Sequence, residues 1–141
     1  MDERWCAMVL PAPGRPLQQV WRERLPSPAA GQVRILVAAC GVCRTDLHLV
    51  DGDLPPARHG VVPGHEIVGR VAALGASVTG LSVGQRVGVP WLGWTCGQCL
   101  DCRAGRENLC PQARFTGWQI DGGYAQQVLA DARYVFALPD A

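Results

Sequence analysis

Short apolar runs recur along this chain, at positions 7–10, 17–21, 33–39, 67–74, 86–89, 124–129 and 134–138. Turn signals separate them: Pro13-Gly14, the segment 28–31, Gly80, Gly84 and Gly122-Gly123. Glycine (17) and proline (11) are scattered throughout, which keeps every element short. Runs of this length between such breakers predict strands, and many short strands at this spacing favour a β-barrel or sandwich. One short helix is expected over 44–50. The segment 91–114 lacks a strand pattern and carries four cysteines, which suggests a lobe organised by something other than an apolar core. Residues 138–141 read as the start of a linker. No internal repeat or low-complexity tract is present.

Size and charge narrow the picture. The chain has 141 residues, the size of one domain, and 48% of them are apolar, which argues against disorder. The net charge is +1, and all 13 basic residues are arginine. No basic face or charge run points to a nucleic-acid partner. Residues 1–6 include Asp2, Glu3 and Arg4, unlike a secretory leader. The longest apolar stretch, 35–40, is too short to cross a bilayer, so no membrane partner is expected. These readings imply a cytoplasmic protein. In that reducing compartment seven cysteines argue for metal or chemistry rather than disulfides.

Four of the cysteines, Cys96, Cys99, Cys102 and Cys110, follow the spacing C-x2-C-x2-C-x7-C. Pairs two residues apart let a backbone fold around a tetrahedral zinc ion, and Gly97, Gly105 and Asn108 supply turns. Four thiolates leave no open coordination position, so such a site is structural. Buried free thiols, two disulfides or a four-iron cluster are the alternatives.

Two further patches share a chemical logic. One is Gly41-Val42-Cys43-Arg44-Thr45-Asp46-Leu47-His48, the other Gly64-His65-Glu66-Ile67-Val68-Gly69. Alone, a cysteine is more often a small buried hydrophobe, and a His-Glu pair a surface feature. Together, a thiolate and an imidazole are two of the three ligands of a Cys2His catalytic zinc. Asp46 and Glu66 are candidates to hydrogen-bond the ligand histidine and fix its tautomer. Thr45 offers a hydroxyl for proton transfer. His48 lies three residues on, on the same helix face, and imidazole is the side chain suited to exchanging that proton with solvent.

The run G-H-E-x2-G-x5-G-x2-V at 64–78, the run C-G-V-C-R-T-D-L-H at 40–48 and the four-cysteine lobe occur in one order. This arrangement resembles the zinc-dependent alcohol dehydrogenases of the medium-chain dehydrogenase/reductase superfamily, over nearly the whole chain. The resemblance implies a mainly β, GroES-like barrel with short helices over 1–141 and a zinc lobe at about 91–114. It implies Cys43 and His65 as catalytic zinc ligands, Glu66 as an alternate ligand, and Asp46 as support for the histidine. Thr45 and His48 would form a proton relay completed by the cofactor ribose, and Arg44 would approach the cofactor pyrophosphate. Cys96, Cys99, Cys102 and Cys110 would hold a structural zinc, making two zinc ions per chain. Trp91 would line the substrate pocket and favour small primary alcohols. The complete enzyme is expected to be a homo-oligomer that oxidises an alcohol to an aldehyde or ketone with NAD or NADP.

No G-x-G-x-x-G turn and no helix long enough for a βαβ unit occurs in the sequence. The cofactor domain and the third protein ligand, a second cysteine, are therefore expected outside it, and the chain is expected to be an inactive fragment. A polyol or formaldehyde dehydrogenase of the same superfamily is a neighbouring reading. A non-catalytic zinc-binding module is the reading from another class, and the Thr45–His48 pair argues against it. Cys6 and Cys40 read as ordinary buried thiols, His59 as a loop residue, and the five tryptophans as core or lobe packing.

Overall fold

The computed structural model describes residues 4–140. Residues 1–3, where a sequence unlike a leader is expected, and residue 141, expected within a linker, lie outside the described residues. Among the described residues nine strands and two short helices follow in the order β1 (Trp5–Val9), β2 (Gln18–Arg22), β3 (Gln32–Gly41), α1 (Arg44–Asp51), β4 (Glu66–Leu74), β5 (Arg86–Val89), β6 (Leu92–Trp94), α2 (Leu100–Arg103), β7 (Arg114–Phe115), β8 (Gln127–Asp131) and β9 (Phe136–Ala137). The fold is mainly β, as expected. An antiparallel sheet in the order β8-β3-β4-β5-β9 forms its centre, and β1-β2 and β6-β7 are separate hairpins.

Strand β3 shows how the pattern makes the sheet. Val33 and Ile35 are completely buried while Leu36 is 50% exposed, the alternation a pleated strand imposes. Ile35 joins Ile67, Val71, Val87 and Val128 in the main core. Two register shifts against β4, at Arg34/Ile35 and Val37/Ala39, mark β-bulges, which bend and twist a strand. Gly69 sits in this bent region because a Cβ there would collide with the Leu36 carbonyl and the Ile35 side chain.

The structure corrects several boundaries. The segment 91–114 contains strand after all: β6 pairs with β7 and closes the lobe at its base. Strands of three and two residues are too short to display a period of two. The strand expected from 124 starts at Gln127, because the Tyr124 N–H donates to the Pro63 carbonyl rather than to the sheet. The strand expected over 134–138 shrinks to β9, preceded by a 3₁₀ turn at Ala132–Tyr134. Cys6 and Cys40 are half-buried rather than buried. Trp5 is core, but Trp21 is 58% exposed. Among the described residues no helix is long and apolar enough to cross a membrane.

Ile35→Ala should cost about 2–5 kcal/mol, because the central strand cannot collapse onto the cavity. Leu36→Ala, one residue along on the outer face, should cost under about 1 kcal/mol. Denaturant unfolding of the two variants checks the alternation; equal losses would contradict it.

Candidate metal centre

Strand pairing assembles the first cluster. β3 and β4 pair so that Gly41 faces Glu66 and Cys40 faces Ile67. The chain leaving β3 and the chain entering β4 are therefore neighbours, although more than 20 residues apart. Cys43 caps the N-terminus of α1 in an extended conformation, and Thr45 to His48 follow within the helix. Gly64, at φ +97°, makes the left-handed turn that delivers His65. A Cβ at position 64 would meet the Tyr124 ring and the Cys40 sulfur, so the turn also requires glycine for space.

The result brings one ligand atom each of Cys43, His65 and Glu66 within 4.8 Å of one another. Asp46 stands behind them, 4% exposed, and both of its oxygens are engaged. Oδ2 accepts from the Cys43 N–H at 2.9 Å and from the Tyr124 hydroxyl at 2.9 Å. Oδ1 accepts from the Gly64 N–H at 3.1 Å and faces His65 Nδ1 at 3.5 Å. That nitrogen is buried, and the distance is too long for a full hydrogen bond, so it has no closer partner. An imidazole with one nitrogen turned to a carboxylate and the other free for a metal is the usual arrangement of a ligand histidine.

Electrostatics agree with the geometry. The Thr45 N–H at the start of α1, then the Thr45 hydroxyl and His65, hold the Cys43 thiol below its ordinary value. The Asp46 carboxylate first, and Cys43 with it, raise His65 against the opposing effect of burial. Burial alone would raise Asp46, but His65, the Cys43 N–H and the Tyr124 hydroxyl together hold it below the usual carboxylate range. Burial and the neighbouring Asp46 push the Tyr124 phenol well up, so it stays a donor.

The other predicted residues lie around this cluster. The Thr45 hydroxyl is 3.7 Å from Cys43 Sγ. His48 is part-exposed, one turn along α1, with Nδ1 3.1 Å from Asp53 Oδ2. Arg44 is exposed at the first position of α1, outside the metal cluster. His59 is exposed in the loop, as expected. Trp91 places its ring edge-on to His65 at 4.7 Å between centroids. Phe115 and Trp118 stack on Trp91 at 4.8 and 6.0 Å, forming an aromatic wall that the sequence did not reveal. Tyr124 was also missed; its place beside Gly122-Gly123, a turn facing Gly64, was the available signal.

The second cluster is Cys96, Cys99, Cys102 and Cys110, whose sulfurs also lie within 4.8 Å of one another. Cys96 Sγ is 3.6 Å from Cys110 Sγ and 4.0 Å from Cys102 Sγ. A disulfide needs about 2.05 Å. The edge of a tetrahedron with zinc–sulfur bonds of about 2.3 Å is about 3.8 Å. The sulfurs thus stand at the spacing of four ligands on one ion. The N–H groups of Gln98 and Cys99 lower the Cys96 thiol to about 6, while burial pushes Cys102 up to about 11. The lobe docks on the barrel through a 2.5 Å hydrogen bond between the Thr95 and Tyr134 hydroxyls, and through Arg133 donating to the Thr95 carbonyl.

Comparison with known proteins agrees with this arrangement. The family described as "Alcohol dehydrogenase GroES-like domain" matches residues 29–140. A probable alcohol dehydrogenase, AdhA, of Mycobacterium tuberculosis is 50% identical over 129 residues, which cover 88% of this chain and 37% of that protein. The thermostable alcohol dehydrogenase of Pyrobaculum aerophilum, solved with cobalt and zinc, superposes with a TM-score of 0.88 at 30% identity, covering 98% of this chain and 42% of that one. A short chain alcohol dehydrogenase from E. coli CFT073, solved with NADH, gives a TM-score of 0.88 at 32% identity, covering 99% and 40%. The chain thus spans 37% of the curated relative's length.

Elemental analysis should find zinc in the purified protein, and Cys99→Ser should lose about one zinc per chain and loosen the lobe. Structural zinc contributes on the order of 10 kcal/mol or more of binding energy coupled to folding. Cys6→Ser, outside both clusters, should keep its zinc. Full retention by Cys99→Ser would remove the lobe assignment.

Proposed function

This chain belongs to the alcohol dehydrogenase GroES-like domain family, and from that premise we propose that it forms the zinc-binding catalytic portion of a zinc-dependent alcohol dehydrogenase. The observation that carries the reading is the convergence of Cys43, His65 and Glu66 in front of a buried Asp46. Cys43 and His65 would hold the catalytic zinc, with Glu66 as alternate ligand, and the four lobe cysteines a structural one, two per chain in the complete enzyme. Bound there, zinc supplies Lewis acidity that makes an alcohol easier to deprotonate, and NAD or NADP supplies the oxidant.

The chain's own residues do the positioning and the proton handling. Asp46 holds the Cys43 backbone and the His65 ring on one rigid support. The Thr45 hydroxyl, beside the Cys43 sulfur, would hold the proton that leaves the substrate alcohol. His48, three residues along the helix and open to solvent, would release it, and Asp53 steadies its imidazole. Arg44, exposed at the helix start, is available to the cofactor pyrophosphate. The Trp91 ring against His65 narrows the approach to the metal, which supports small primary alcohols as substrates.

A cytoplasmic setting rests on the sequence reading alone. Homo-oligomeric assembly of the complete enzyme rests on the family resemblance. Residues 1–141 alone are expected to give no turnover, because no G-x-G-x-x-G motif to orient a nicotinamide occurs in the sequence, and orientation accounts for roughly 7–11 kcal/mol of barrier reduction.

In the complete enzyme, Thr45→Ala should lower alcohol oxidation about 10²–10⁴-fold with zinc content unchanged, the range of positioned proton transfer. Thr45→Ser should retain most of the rate, since the hydroxyl remains. Steady-state kinetics with a panel of alcohols and both nicotinamide cofactors measures the effect; unchanged turnover in Thr45→Ala would remove the relay.

A further inference from the structure

Tyr124 lies outside every motif in the sequence, yet its hydroxyl reaches the carboxylate on which both ligand segments hang. An ionised carboxylate can only accept, at about four lone-pair positions. At Asp46 the Cys43 N–H and the Tyr124 O–H share Oδ2, while the Gly64 N–H and the His65 Nδ1 direction share Oδ1. Three of these four partners belong to, or directly precede, the ligand residues. Tyr124 is the exception, arriving from a different part of the chain.

Its own position is fixed on two sides. The Tyr124 N–H donates to the Pro63 carbonyl at 3.0 Å, one residue before Gly64. Its carbonyl accepts from the Met8 N–H of β1 at 2.8 Å. The ring packs where a Cβ on Gly64 would otherwise stand. The phenol is thus a strut between the β1 hairpin, the loop that carries His65 and the Asp46 carboxylate.

We propose that Tyr124 is a positioning residue for the metal pair: its hydroxyl locks the rotamer of Asp46, and Asp46 in turn sets the Cys43 cap and the His65 ring. Without that bond Oδ2 is held by one backbone donor only, and the carboxylate is free to turn away from Nδ1. The inference rests on the reading of Cys43 and His65 as ligands of a catalytic metal.

The test uses the holoenzyme with cobalt(II) in place of zinc, because cobalt reports its ligand geometry through its visible absorption. Tyr124→Phe removes the hydroxyl and keeps the ring. It should leave total metal content unchanged, shift the visible bands of the Cys43–His65 site, and speed loss of that cobalt to a chelator about 10-fold, within the range for partners that orient ligands. Cobalt in the Cys96–Cys110 lobe should leave at the wild-type rate. In an Asp46→Asn background, Tyr124→Phe should add little, since a residue acting through Asp46 has nothing left to act on. Unchanged spectrum and chelation rate in Tyr124→Phe would overturn the proposal. So would independent, multiplying effects of the two substitutions, or faster loss from both sites in step, which marks ordinary packing. A wild-type protein that takes up cobalt in the lobe alone would overturn the ligand reading itself, and this inference with it.

Discussion

A carboxylate with 4% of its surface exposed is the constraint around which the first metal cluster is built. Burying a charge is costly unless it is paired and hydrogen-bonded. Asp46 meets that demand by drawing donors from the helix cap, from the turn before His65 and from the Tyr124 loop. Each donor is thereby placed. The need to satisfy one anion fixes the approach of three chain segments, two of which carry the proposed metal ligands. A neutral residue at position 46 would relieve the cost and lose the geometry.

The two cysteine-bearing clusters are held in place by opposite means. Cys43 and His65 stand on a hydrogen-bonded sheet and an eight-residue helix whose Leu49 is fully buried, so their scaffold exists without a ligand. The lobe has no such scaffold. Helix α2 has four residues and the 3₁₀ turn at Glu107–Leu109 has three, and neither buries a side chain. Elements that short do not hold together alone. Leu100 and Leu109 are 80% and 57% exposed, so the lobe's leucines do not supply a core either. What remains at its centre is the set of sulfurs, and the fourth, Cys110, is the buried one. In the proposed reading a closed ion would take the place of a core in the lobe, whereas on the barrel a metal would be added to a core already formed.

Spacing motifs were the most legible part of the sequence, because metal geometry dictates them directly. Strand β5 and helix α1 were legible too: β5 matches residue for residue, and α1 extends one residue past its expected end, where Gly52 at φ +90° stops it. The hairpin β6-β7 was hidden because its strands are too short for periodicity and its two halves are separated by the lobe. Tyr124 was hidden for a different reason. A tyrosine in an apolar run reads as core, and nothing local says that its hydroxyl meets a carboxylate 78 positions earlier. Likewise Trp118 reads as core or lobe packing, and Phe115 carries no local signal, until Trp91 is seen lying against both beside His65.

Glu66 illustrates how glycines make a site possible by what they lack. Adjacent residues of an extended chain point to opposite faces, so Glu66 should project away from the metal side that His65 occupies. A strained turn would be one way to bring it back, yet the backbone shows none there: Ser77, far from the site, is the only non-glycine with positive φ among the described residues. The reach comes instead from the partner strand. Gly41 lies directly opposite Glu66, and the carboxylate occupies the space where a Cβ on Gly41 would be. Its oxygen thereby comes within 4.8 Å of a Cys43 and a His65 ligand atom while the side chain stays exposed. Gly41, two residues before Cys43, and Gly64, before His65, thus serve one end: the first clears a path for Glu66, the proposed alternate ligand, and the second turns the chain so that the histidine enters from the buried side.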